Sequence, residues 1–146
     1  MKFAISLWVI ILVAGCSTFE RDWQASSHGK STGIEGRWIG RWNSDANEHN
    51  DVLRCLITSK GKSIYETRFH AKYSLWFIPV SYGYKLNMTT KHLDSNHHFE
   101  GEADLGLLAG GIYKYTGEGN TSELRFNYRA KFDHGTFHLQ RPKDKE

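Results

Sequence analysis

Proline is almost absent: two in 146 residues, against fourteen glycines and 14% aromatics. That make-up favours strands joined by tight turns over helices, because aromatic side chains pack well on a pleated surface and glycine supplies turn geometry. Charge of one sign is not in excess either. Nineteen basic and sixteen acidic residues leave +3. They are interspersed, with no basic stripe of the kind nucleic-acid binding uses, so no nucleic-acid partner is expected. The apolar run at the N-terminus, Phe3 to Ala14, is shorter than the ~20 residues a membrane-spanning helix needs. Catalytic signatures are missing as well: no Gly-x-Ser-x-Gly, no Cys-x-x-Cys and no His-Glu-x-x-His. No enzyme, cofactor or metal site is therefore expected.

What is present from residue 36 onward is period-two alternation, broken by turn residues at intervals near ten. Eight segments follow: 36–44, 51–59, 63–73, about 77–92, 98–106, 111–117, 122–132 and 136–141. In 63–73, Tyr65, Thr67, Phe69, Ala71 and Tyr73 alternate with Glu66, Arg68, His70 and Lys72. In 122–132, Leu124, Phe126, Tyr128, Ala130 and Phe132 alternate with Glu123, Arg125, Asn127, Arg129 and Lys131. The connections are too short for a parallel crossover, so the strands are antiparallel neighbours. The fold expected is all-β: one eight-stranded antiparallel up-and-down barrel over residues 35–142, apolar face inward, which leaves no open edges. A two-sheet sandwich is the alternative. A transmembrane barrel would turn the apolar face outward, but its spans need ~9–11 residues. Residues 143–146 are a polar tail.

The remaining polar constellations fit ordinary roles. His134 and His138 share a strand face, but His134 is expected in the turn, and His97 and His98 point to opposite faces. Glu100, Glu102 and Asp104 lie on the outer face opposite partners such as Lys114, where cross-strand pairing is expected. The loop Ser44 to Asn50 offers Asn47 and His49 as candidate mouth-loop residues, since loops at a barrel mouth can gate a ligand. Cys55 sits among Leu53, Leu56 and Ile57 and reads as a buried, inert thiol.

Residues 1–15 read as a targeting segment. Val13-Ala14-Gly15-Cys16 resembles the lipobox of bacterial lipoprotein signal peptides. The resemblance implies cleavage before Cys16, diacylation of its sulfur and usually acylation of its new amine. Two or more acyl chains make such an anchor stable, so the membrane is the expected partner, through lipid on Cys16. Ser17, in place of the aspartate that marks inner-membrane retention in enterobacterial lipoproteins, implies the cell envelope at the outer membrane, facing the periplasm if the organism is Gram-negative. An ordinary secretory signal with an incidental cysteine is the alternative. With Cys16 lipidated, no intramolecular disulfide remains. Residues 16–34 are polar and without periodicity, and are expected to form a flexible tether.

Gly36-Arg37-Trp38 resembles the Gly-x-Trp element on the first strand of lipocalins and related calycin barrels. There the tryptophan closes the bottom of the barrel and an arginine from the last strand packs across it. The resemblance gives Trp38 and Arg141 that barrel-closing role. A shorter domain and the absent family disulfide are departures from the pattern.

Two functions follow. The first is a binding module for a small apolar ligand or lipid, lined by Trp38, Trp42, Leu53, Phe69, Tyr84, Phe126 and Tyr128. A filled barrel with the same residues is its plain counterpart. The second is an envelope interaction module using an outer face of Arg37, Arg41, Arg54, Arg68, Lys72, Arg125, Arg129 and Lys131. The chain is expected to be a monomer.

Overall fold

The computed structural model describes residues 18–28, 33–46, 50–75, 77–107 and 110–143. Eight strands run in chain order: β1 Gly36–Ser44, β2 Asn50–Gly61, β3 Ile64–Leu75, β4 Ile78–Leu93, β5 Asn96–Asp104, β6 Ile112–Gly119, β7 Glu123–Arg129 and β8 His134–Gln140. Each pairs antiparallel with the next, and β8 returns to β1 to close the barrel. That last pairing excludes the sandwich, which would leave β1 and β8 as edges.

Chain chemistry accounts for the joints. Lys62 and Ser63, between β2 and β3, both take positive φ (48° and 64°), the primed turn whose twist matches paired strands. β1 and β8 approach so closely at Gly40 that a Cβ there would run into the His138 carbonyl. The alternation puts Trp38, Cys55, Phe69, Met88, Tyr115, Leu124, Phe126 and Leu139 inside, all buried. Each large side chain taken from water here contributes roughly 1.5–3 kcal/mol. The outer face carries charge, the opposite of the apolar band a membrane-spanning barrel presents.

Three departures from the sequence reading are found. Residues 18–25 are helical, and Ser26–His28 continue as a 3-10 turn. This part of the expected tether is folded onto the barrel's outer wall. Phe19 and Trp23, four apart and so on one helix face, form a buried cluster with Leu56. Phe19 stacks on His70 at 4.7 Å between ring centroids. The Arg54 guanidinium lies 5.1 Å from both the Phe19 and the Trp23 ring. Glu20 pairs with Arg54 at 2.8 Å and Asp22 with Arg68 at 2.5 Å. Those guanidiniums hold the Glu20 and Asp22 carboxyls below their usual range.

Second, β7 stops at Arg129, because the Ala130 amide donates to the Asp133 carbonyl at 2.7 Å and turns the chain. Phe132, read as inward, is therefore 73% exposed. Third, His134 begins β8 instead of lying in the turn. Its partner His138 bonds Glu123 at 2.6 Å on the outer wall. Elsewhere the outer face follows the expected parity, with Glu102 directly opposite Lys114.

Candidate functional site: an apolar cavity at the open end

The two ends of the barrel differ. The chain enters β1 at one end, where β2–β3, β4–β5 and β6–β7 also connect. Ile34 and Trp38 are buried there, and the Trp38 indole N–H donates to the Ile34 carbonyl at 2.8 Å. Arg141, just past β8, lays its guanidinium 3.8 Å from the Trp38 ring centroid. The same guanidinium donates to the carbonyls of Thr121 (3.0 Å), Glu35 (2.8 Å), Arg37 (3.2 Å) and Gly33. One cation thus ties the entering strap, the first strand, the β6–β7 turn and the chain's exit into a floor.

The other end holds a cavity of about 310 Å³. It is lined by Trp42 of β1, Leu53 of β2, Ala71 and Tyr73 of β3, and Tyr82 and Tyr84 of β4. Leu105, Tyr113, Tyr115, Tyr128, Asp133 and Phe137 complete it. The polar atoms in this lining are largely matched with each other. Tyr115 donates its hydroxyl to Tyr84 at 2.8 Å. The Trp42 indole donates to the Tyr128 hydroxyl at 2.8 Å, and Tyr128 donates on to Asp133 at 3.2 Å. Ser44 donates to the same carboxylate at 2.6 Å. Burial raises the Tyr84 and Tyr115 hydroxyls and pushes Tyr128 up to about 12, so all three stay neutral at physiological pH. The interior therefore presents aromatic faces, with the Tyr84, Tyr115 and Tyr128 hydroxyls bonded to neighbouring side chains. Such a lining suits apolar contact and shape rather than charge.

Of the residues expected to line a ligand, Trp42, Leu53, Tyr84 and Tyr128 line this cavity. Trp38, Phe69 and Phe126 do not. Trp38 sits in the floor. Phe69 packs at 5.1 Å from Phe137, 5.4 Å from Tyr84 and 5.9 Å from Phe126, filling the barrel between floor and cavity. The reading missed Tyr73, Tyr82, Tyr113, Tyr115 and Phe137 as lining residues, although their inward parity marked all of them. Asn47, His49 and Cys16 lie outside the described residues.

The barrel has a likeness of fold among solved proteins. A redesigned beta barrel matches with a TM-score of 0.51 at 13% identity, over 75% of this chain and 92% of that chain. At that identity the likeness is one of architecture. No family model and no curated protein matches the chain.

The outer wall offers less. Depressions of about 450 and 470 Å³ lie between outward side chains of β5–β8, the second also reaching Asp45, and both are open to solvent. Among the described residues, no group of three or more His, Cys, Asp or Glu side chains converges as a metal site would require. Much of the arginine face is already engaged within the chain: Arg54 and Arg68 with the helix, Arg125 with Glu123, and Arg41 with Asn50. Cys55 is buried, and burial pushes its thiol well above the ordinary range, which makes it a poor nucleophile.

Proposed function

We propose that this protein is a lipid-anchored envelope barrel that binds a small apolar ligand or the chain of a lipid in the cavity at its open end. The observation that carries the reading is the 310 Å³ space walled by Leu53, Ala71, Phe137 and a ring of tyrosines above a packed floor. Ligand sites start at roughly 300 Å³, so the occupant is a short acyl chain or a single-ring compound, not a whole phospholipid. The lipobox-like Val13-Ala14-Gly15-Cys16 supports anchoring, and two or more acyl chains give a stable attachment. The stacked Trp38–Arg141 floor adds support for a lipocalin-like plan, open at one end only.

Ala71 lines the cavity with a single methyl, so Ala71→Phe fills space without crossing the wall. Titration of the wild type with a fluorescent short-chain fatty acid is expected to saturate at one site. In Ala71→Phe the affinity falls at least tenfold, a change of about 1.4 kcal/mol. Equal binding by both proteins, or none by the wild type, contradicts the reading.

A further inference from the structure

Large apolar side chains left exposed are not spread evenly over this barrel. At the open end Phe77 is 86%, Leu107 96%, Phe132 73%, Ile78 58% and Ile112 51% exposed. They lie in or directly after three separate connections at the cavity mouth, β3–β4, β5–β6 and β7–β8, with Ile78 and Ile112 opening β4 and β6. The turns at the other end are polar: Lys62-Ser63, Asp94-Ser95 and Asn120-Thr121-Ser122. Leu93 and Ile64 are the large apolar residues exposed there, at 56% and 39%. Five of the exposed large apolar side chains thus ring one opening.

We infer that the rim of the open end is a membrane-contact surface, and that its occupant is the lipid bilayer to which the chain is anchored. The inference rests on the proposed lipidation of Cys16. Three features favour a bilayer over a protein. The apolar groups stand on separate loop tips around an opening, so they form no continuous face for a rigid partner, whereas a fluid interface can surround each tip. The Lys131 ammonium lies 5.0 Å from the Phe132 ring centroid, pairing an apolar body with a cation at the head-group level. Finally, the chain outside the structure ends in the right place. Ser17 alone separates Cys16 from Thr18, which limits the anchor to about 7 Å from the helix. The helix starts over β3, where Arg68 donates to Thr18 and His70 stacks on Phe19. From His70 the strand runs five residues to Leu75 at the mouth, about 17 Å. With the helix docked, the barrel has no long leash, and the anchor is held beside the middle of β3, about 17 Å along the strand from the β3–β4 rim. Charges around the mouth are mixed, Lys72, Lys114, Arg129 and Lys131 against Asp45, Asp51, Asp104 and Asp133. Contact should therefore not require anionic lipid.

The test uses the full protein purified from its own membrane and reconstituted into phosphatidylcholine vesicles doped with a nitroxide-labelled lipid. An environment-sensitive fluorophore is attached in turn through Leu107→Cys, Phe132→Cys and, at the polar end, Ser122→Cys. Cys55 is buried and does not compete for label. The expected result is a blue shift at 107 and 132, with nitroxide quenching several-fold greater than at 122. Vesicle-bound protein with equal quenching at the three sites overturns the rim assignment while leaving the anchor standing. A blue shift at 107 and 132 without nitroxide quenching assigns the rim to a second copy of the chain and overturns it too. Protein that does not remain with the vesicles removes both the anchor and the rim contact.

Discussion

Arg141 and His70 are the two residues whose placement decides most. Arg141 holds four carbonyls and the face of Trp38. Hydrogen bonds from a charged donor and a shielded cation–π contact are each worth about 1–3 kcal/mol, and they overlap here. Arg141→Leu should therefore cost about 3 kcal/mol and lower Tm by roughly 10 °C. Arg141→Lys keeps the charge but lacks the planar fork and should recover less than half. Thermal unfolding followed by circular dichroism checks this; an unchanged Tm in Arg141→Leu contradicts it. His70 is buried under Phe19, and burial, with Arg54 and Lys72 nearby, lowers its pKa from 6.5 to about 4. The folded protein then binds this proton later than the unfolded chain as pH falls. Stability from His70 is complete above about pH 6.5 and is lost as pH falls toward 4. Urea midpoints should drop between pH 7 and pH 5 in the wild type and drop less in His70→Phe, which keeps the stack without the proton site.

At the scale of elements, the helix over residues 18–25 was the least legible part of the chain. Its only apolar anchors are Phe19 and Trp23, and the rest of the segment is polar, so no stripe long enough to register as a helix exists. The available signal lay in β2, where Leu56 occupies an outward position next to inward Cys55 and Ile57, and an outward leucine flanked by arginines needs a cover. Removing that cover gives a direct test. In Phe19→Ser/Trp23→Ser the helix should lose its hydrogen-exchange protection while the strand signal in circular dichroism persists. The His70 titration, followed by NMR, should move up from about 4 toward its ordinary 6.5. A His70 pKa that stays near 4 contradicts the assignment of burial to this helix. The strands themselves were plain in the alternation. Where β7 ends was not, because Ala130 and Phe132 keep the inward parity past the point where the Ala130–Asp133 bond turns the chain.

For the whole molecule, parity and closure were readable, but height along the barrel axis was not. Alternation says which side chains point inward. It does not say how far neighbouring strands are staggered, and stagger decides whether a residue lies in the floor, the packed middle or the mouth. That is why parity alone groups Trp38, Phe69 and Phe126 with Trp42 and Tyr128, although the barrel separates them into different layers. The proposed binding role rests on the same asymmetry, a sealed floor under an open tyrosine-lined chamber. Native mass spectrometry of the wild type and Ala71→Phe, each extracted from its own membrane in mild detergent, tests this most directly. The expected spectrum shows a chain starting at an acylated Cys16, part of which carries one small apolar adduct that is missing from Ala71→Phe. An adduct retained by Ala71→Phe, or a wild type that never carries one, would contradict it.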